Sequence, residues 1–524
     1  MKYRVVLVSA PSLGVIEPAY DAPEFPRGAL ACLAAYLREH GYKDVLCIDA
    51  KFDKLSFDET LERILKYNAD IVGFTAFTNE IKPCAYIANK LKKMQPNLYT
   101  VIGGAHLSAL PIPTLKEFDG FDFGVVGDGE ETLLELILAL ESNSNPNNIK
   151  GLVYKSNSEI VQNPARDRLL DLDELPIPAW DLFRPAKQYW VQTIKGCPFK
   201  CNFCMNHNGR VARKRSVQKT IEEVEYLLEK FPVEWIRYGD ELFSVDMIRT
   251  EELLDEMIAR GIGKRVKWDA QTHVRYVNKS LLKKFYLAGV NQIDMGVESG
   301  DSEILKHLGK GTNIEVITNA FKIANEEGVK TGSLLLLGQP NETINSIKST
   351  INLAVKINAT LPMFSIMMPL PGTNVAKMAA MGEGNYKNLS TNWDEYRQRI
   401  GGAIEFAGVS RTVIERMLFW GYFKVFLLNY RFFDFLIFLW QYKSEGINLL
   451  IKIFQKKQDL SSLLEKPKDY ETVLKSNYMI TINDMINSKE QFDTIQRNEL
   501  KRTNQLRPDL IKTQMPIKED VSSL

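Results

Sequence analysis

The sequence predicts an α/β protein in three parts: a doubly wound parallel sheet, then a partial (β/α)6 barrel, then a mostly helical carboxyl-terminal region. Two observations predict the α/β parts: short β-rich apolar runs alternate with amphipathic helical stretches over residues 1–145, and the alternation resumes over 189–380 with a period near 30 residues. A third is that aromatic, irregular helical signals replace it over 381–500. The length of 524 residues suits several domains, and 45% hydrophobic with 25% charged residues is the composition of a folded globular chain. Lys plus Arg is 66 against 65 for Asp plus Glu, so no global field draws in nucleic acid or an anionic membrane, which leaves only a local patch for either.

In the first part the strand candidates are Arg4–Ser9, Val45–Asp49, Asp70–Thr75, Tyr99–Gly103 and Phe121–Val126, with helices such as Gly28–Glu39 and Pro83–Met94 between them. In such a sheet the loops after the strands' carboxyl ends hold the ligand. Here they are Ser9–Gly14, Thr75–Thr78, Gly103-Gly104 and Gly127–Glu130, small and hydroxyl-rich. Their glycines suit either close approach to a bulky ligand or ordinary tight turns. Residues 146–188 read as a linker: a polar stretch, a hairpin-like Gly151–Asn163 and the Pro-rich Leu175–Pro185.

Six strand candidates follow: Tyr189–Ile194, Glu234–Tyr238, Val266–Thr272, Asn291–Val297, Lys330–Leu337 and Leu361–Met368, with helices starting near Ser216, Asp246, Asn278, Ile314 and Glu342. Six units make a partial barrel, less than the eight of a closed one. The segment Met417–Trp440 is rich in Phe, Trp, Leu and Tyr, but Lys424, Arg431 and Asp434 interrupt it, so it does not span a bilayer. It reads as a core helix pair over the barrel mouth, with a wall for an apolar substrate or a peripheral membrane contact as the sharper alternatives. Residues 501–524 are polar enough to be loosely ordered. The amino terminus shows no export signal, and cytoplasmic placement is expected.

Of the six cysteines, Cys197, Cys201 and Cys204 fall within one loop after the first barrel strand, where a barrel keeps its chemistry. Three thiolates there can hold three irons of a [4Fe–4S] cube and leave the fourth open. The alternative is a Cys₃His zinc site completed by His207, although four ligands in one loop would staple little. Cys32, Cys47 and Cys84 read as buried small hydrophobes.

The spacing Cys197-x-x-x-Cys201-x-Phe203-Cys204 resembles the radical S-adenosylmethionine (SAM) superfamily. So do Arg213–Ser216, Tyr238–Phe243, Gly296–Gly300, Gly338–Thr343 and Pro369–Thr373, every one of them read as falling at the carboxyl end of a predicted strand. The first part resembles the cobalamin-binding domain upstream of one branch of that superfamily, which includes cobalamin-dependent methylases and the anaerobic magnesium-protoporphyrin cyclase. Asp70–Thr75, Gly103–His106 and Gly127–Thr132 carry that likeness, and the two resemblances cover roughly residues 1–375.

The resemblance implies three cofactors, a [4Fe–4S] cluster, SAM and cobalamin, and an electron donor such as ferredoxin or flavodoxin. It implies Cys197, Cys201 and Cys204 as cluster ligands, and Phe203, Asp240, Glu241, Gln271, Arg275 and Glu298 beside SAM. Asp240 and Glu241 would hold the SAM amino group, the alternative being acids at a helix start. Arg275 would meet the SAM carboxylate or ribose, while His273 fits function or a satisfied core equally. For Glu298 the alternative is a buried pair with Arg275. The expected cobalamin contacts are Ser12, Leu13, Thr75, Thr78, Gly103, Gly104, His106, Gly127, Gly129 and Glu130.

Where many cobalamin domains place a histidine for cobalt, this chain reads Ser9-Ala10-Pro11-Ser12-Leu13-Gly14. No imidazole is therefore expected on cobalt, and His106 reads as a tail contact or turn packing. The function implied is a cobalamin-dependent radical SAM methyltransferase acting on an unactivated carbon of an apolar small molecule or lipid. The alternatives are a radical cyclase or ring-remodelling enzyme using cobalamin, and, more remotely, a non-catalytic cobalamin-binding protein with structural zinc.

Overall fold

A computed structural model describes residues 2–512 apart from 158, 399–401, 442, 444–463 and 477. Strands β1 (Val5–Ser9), β2 (Val45–Asp49), β3 (Ile71–Thr75), β4 (Tyr99–Gly103), β5 (Phe123–Val125), β6 (Leu152–Ser156) and β7 (Glu159–Gln162) form one sheet in the order β2-β1-β3-β4-β5-β6-β7. β1 to β5 are parallel and read as continuous apolar runs because helices cover both faces; all five residues of β1 are buried. β1 lies between β2 and β3, so the chain reverses direction across the sheet there, and the loops after β1 and β3 part to leave a crevice.

β6 pairs antiparallel with β5, and β7 with β6. The hairpin predicted as linker thus extends the first sheet, since Leu152, Val153 and Tyr154 are apolar enough to be buried against it.

The second sheet runs β15-β14-β13-β12-β11-β8, all parallel. Its strands are β8 (Gln188–Val191), β11 (Trp235–Tyr238), β12 (Lys267–Thr272), β13 (Val290–Glu298), β14 (Thr331–Leu337) and β15 (Leu361–Ile366). Between β8 and β11, β9 (Ile194–Lys195) and β10 (Arg213–Lys214) pair antiparallel and close the cysteine loop at its base. The barrel helices begin where short polar side chains cap them: Ser216, Asp246, Asn278, Asn313 and Thr343 each accept a backbone N–H of the first turn.

The carboxyl-terminal region adds the small pair β16 (Tyr386–Leu389) and β17 (Ile404–Phe406), then the helices Arg411–Leu428, Phe432–Gln441, Tyr470–Val473, Ile482–Leu506 and Pro508–Lys512. It is no separate body. Trp393, Tyr396, Tyr470, Met485 and Phe492 join the same apolar core as Val72, Phe74, Ile102 and Leu107 of the first sheet. The aromatic pair Arg411–Leu428 and Phe432–Gln441 packs beside the edge strand β15, where the Phe364 N–H donates to the Tyr422 hydroxyl at 3.0 Å, so it flanks the barrel and does not cover its mouth. Residues 501–506 and 508–512, predicted loose from their polarity, are helical because Thr503 and Leu510 are buried against the body; 513–524 lie outside the described residues.

The two sheets meet at Arg213. Its guanidinium, fully buried, pairs with Asp128 at 2.7 Å and donates to the carbonyls of Leu169 and Asn208, each at 3.0 Å. Arg168 adds bonds to Asp128 at 3.4 Å and to the His207 carbonyl at 2.6 Å, and Lys195 pairs with Glu130 at 3.2 Å. Two arginines and Lys195 beside it hold the Asp128 carboxyl well below the usual carboxylate range.

Removing one partner of a buried ion pair strands the other, at a cost of ~3–5 kcal/mol. Arg213→Met should therefore lower the unfolding midpoint in guanidinium sharply. Lys187→Ala, which breaks only the exposed pair with Glu234, should stay within about 0.5 kcal/mol of the parent.

Candidate functional site

The cysteine loop is held open by its own backbone. Gly196, at the exit of β9, has φ +101°, and a Cβ there would lie 2.2 Å from the Val211 carbonyl oxygen, so only glycine fits. The Cys197 N–H donates to Gly209 O at 3.0 Å, and Asn206 Nδ2 donates to Cys197 O at 2.6 Å. Asn202 ties the loop to the barrel, donating from its N–H to Leu308 O and from Nδ2 to His307 O, both at 3.0 Å. Glu241 holds the other end: its carboxylate accepts from the Gly196 N–H at 3.1 Å and from Asn208 Nδ2.

All three cysteines are free thiols, and Cys204 opens onto solvent-accessible space. Burial by the surrounding protein pushes Cys201 up to about 12 and the other two upward as well. Among the described residues no three His, Cys, Asp or Glu side chains are gathered so as to hold one metal ion. A cubane takes its thiolates on three different irons and needs no such convergence, so this donor set fits it.

Around the loop, the barrel's own residues divide. Gln271 and Arg275, at the carboxyl end of β12 and just past it, are exposed, and Gln271 is so although β12 is interior to the sheet. These two fit a ligand in the mouth. His273 is a satisfied core residue: its Nδ1 accepts from the Arg275 N–H at 3.1 Å, leaving Nε2–H to donate to Lys310 O at 3.1 Å, while its ring stacks on Phe199 at 4.2 Å. Burial lowers its pKa to about 3, so it stays neutral.

Asp240 departs from its expected role. Its carboxylate, buried and pushed up to about 6, accepts from the Thr193 N–H, the Thr193 hydroxyl and the Ile194 N–H at 2.6 to 2.8 Å, so it braces the turn between β8 and β9 and is not left for an amino group. Glu298 is buried with φ +62°, a left-handed conformation that costs ~1–3 kcal/mol for a residue other than glycine, at a break in the β13–β14 register. Its partner is Lys310, not Arg275. The ends of the Lys310 and Glu298 side chains lie over Gly296, in the space a Cβ there would take. Lys310 was missed from the sequence; Gly309-Lys310-Gly311 was the available signal. Phe203 packs with Met367 and Val375, walling the loop on the side of β15.

On the first sheet, Gly127 has φ +83° and open space where a Cβ would be, and Gly103 and Thr75 are half-buried at the strand ends. Others of the expected contacts are engaged within the protein. Ser12 donates to Asp21 O at 2.9 Å, Leu13 and Thr78 are buried, a Cβ on Gly104 would meet Ala76 backbone atoms at 2.7 and 2.8 Å, Gly129 lies beside Leu33 and Glu130 pairs with Lys195. His106 is fully buried edge-on to Trp393 at 4.8 Å, with neither ring nitrogen hydrogen-bonded and its pKa lowered by burial to about 3. The open Gly127 edge fits a ligand tail beside the sheet, whereas the His106 ring is enclosed by Trp393.

The two sets of loops share one side of the molecule. Gly372 brings Met205 of the cysteine loop and Ala109, just after Gly103-Gly104, both within 3.6 Å of its Cβ position. The helix Ile482–Leu506 spans them: the Ser488 hydroxyl donates to Ala109 O at 2.5 Å, Gln496 Nε2 to Asn206 O at 3.3 Å, and Glu499 pairs with Arg168 at 3.3 Å.

Comparison with known proteins agrees with this geometry. A B12-binding domain family matches residues 16–137 and the radical SAM superfamily matches residues 191–354. An uncharacterized methyltransferase of Pyrococcus horikoshii is 31% identical over 403 residues, 75% of this chain and 86% of its own. The anaerobic magnesium-protoporphyrin IX monomethyl ester cyclase of Rubrivivax gelatinosus is 29% identical over 366 residues, covering 67% of this chain and 65% of its own length. Among solved structures, the cobalamin-dependent S-adenosylmethionine radical enzyme OxsB, with aqua-cobalamin and S-adenosylmethionine bound, superposes with a TM-score of 0.65 at 17% identity, over 98% of this chain and 83% of its own. With its cobalamin-type sheet joined to a cysteine-bearing barrel through Arg213, the chain belongs to the cobalamin-binding radical SAM enzymes.

Proposed function

We propose that the protein transfers a methyl group to an unactivated carbon of an apolar small molecule or lipid, with an electron donor such as ferredoxin or flavodoxin reducing its cluster. The observation that carries this reading is the shared side: Ala109 and the Gly127–Glu130 loop abut the segment that holds the cysteines, so both cofactor domains serve one space. Such a reaction needs its partners within about 3–3.5 Å of one another. When bound, the cluster with SAM supplies hydrogen abstraction and cobalamin supplies the methyl group.

The chain's own residues set the stage for that chemistry. The three cysteines would hold the cluster, and Glu241 and Asn206 fix the loop that carries them. Gln271 and Arg275 offer an amide and a cation at the mouth, and the Glu298–Lys310 pair places a buried charge pair beside it. Phe203 and Met367 exclude water on the side of β15. Support for an apolar substrate comes from β14 and β15 alone, where Leu335, Leu337, Phe364 and Ile366 face the helices and the alternate positions Leu334, Leu336 and Met363 turn to the lumen.

Kinship to a ring cyclase gives the second reading, a radical cyclase using cobalamin. Anaerobic incubation with reductant, methyl-labelled SAM and an apolar extract of source cells separates the two. Methyl transfer predicts label in an apolar product together with 5′-deoxyadenosine; deoxyadenosine with no label transferred to product would favour the cyclase.

Cys201→Ala should abolish the cluster absorbance and SAM cleavage while cobalamin still binds, because separate domains hold the two. Full deoxyadenosine formation by this variant would remove the cluster assignment. Electron paramagnetic resonance of the cob(II)alamin form should lack nitrogen superhyperfine splitting from a protein imidazole, since His106 is walled in by Trp393. A clear splitting that vanished in His106→Phe would reverse that assignment.

A further inference from the structure

The helix Phe432–Gln441 contains no buried residue. Its inner side, Phe435 and Phe438, packs on Tyr422, Phe423 and Phe426 of the helix Arg411–Leu428, which Tyr422 fastens to β15. Its outer side carries Phe432, Phe433, Leu436, Ile437 and Trp440, with Phe433 82%, Ile437 56% and Trp440 72% exposed. Trp420, stacked on Phe423 at 5.2 Å, continues this surface onto the neighbouring helix, and Tyr430, 90% exposed, marks the turn between the two. Soluble monomers rarely leave so dense an apolar face in water.

Charge selects what covers it. From Arg411 to Lys443 the sequence has five cations and two acids, an excess of three positive charges. Both acids are paired locally, Glu415 with Arg411 of its own helix at 3.1 Å and Asp434 with Arg431, just before its helix, at 2.7 Å. The Lys443 ammonium lies over the Trp440 ring at 4.2 Å. Trp and Tyr at the margin, Phe, Leu and Ile at the centre and the three cations beyond those two pairs, Arg416, Lys424 and Lys443, match the headgroup boundary of an anionic bilayer: the apolar centre enters the acyl region, the ring edges stay in the hydrated layer and these three cations meet lipid phosphates.

We propose that the helices Arg411–Leu428 and Phe432–Gln441 form an interfacial anchor that lays this face on an anionic lipid surface. No described helix is long and apolar enough to cross a membrane, so the contact lies in the plane of the bilayer. The mount is rigid, because Arg431 also donates to the carbonyls of Ala359 at 2.7 Å and Thr360 at 2.5 Å, just before β15. The proposal stands apart from the chemistry of the cysteine loop.

The test uses the full chain and vesicles of phosphatidylcholine mixed with phosphatidylglycerol. The protein should sediment with them, and much less with phosphatidylcholine alone. The double variant Phe433→Asp with Ile437→Asp should lower the bound fraction roughly tenfold or more at unchanged thermal unfolding, since both side chains are exposed. Brominated lipid should quench the tryptophan fluorescence, and Trp440→Phe should remove a large share of that quenching. Equal binding by the double variant, or no sedimentation of the parent chain, would overturn the proposal. So would a parent chain that ignores vesicles yet self-associates in a way the double variant abolishes, because the face would then join two copies.

Discussion

The architecture turns on one ion pair, Arg213 with Asp128. Arg213 stands at the base of the cysteine loop, and Asp128 at the carboxyl end of the first sheet, in the turn after β5. A guanidinium with no access to water depends on the acceptors the protein gives it, and here one carboxylate and two carbonyls from three different segments take the two terminal nitrogens of Arg213. Satisfying those donors dictates where the linker, the cysteine loop and the first sheet sit relative to one another. A surface pair of the same residues would leave that angle free.

Most of the fold is legible in the sequence because its information is local. Parallel strands buried on both faces appear as short apolar runs, and the helices start at capping side chains; β2 and β4 fall where the pattern puts them, and β13 and β15 within two residues at either end. What escaped depends on long-range pairing. The hairpin β6–β7 reads as linker until β5 is seen to lack a neighbour on its other side. The carboxyl-terminal segments read as their own domain because nothing in Trp393 or Tyr470 names the core they complete.

The site shows the same division. Cysteine spacing is local, so the cluster loop stood out. Asp240 and Glu241 are neighbours in sequence yet serve different ends: one is consumed by the turn it braces, the other reaches the cysteine loop. Glu298 was seen and its partner was not, because Lys310 arrives from beyond an intervening helix. His106 lies beside a Gly-Gly turn that suggested a ligand, and only the placement of Trp393 shows that the ring is walled in.

The helix Ile482–Leu506 reaches Ala109, the cysteine loop and Arg168, yet it is translated after nearly all of the chain it touches. Its bonds to Ala109 and Asn206 span 379 and 290 residues of sequence, so the juncture between the first sheet and the cysteine loop is closed by long-range contacts that form only once both partners are in place.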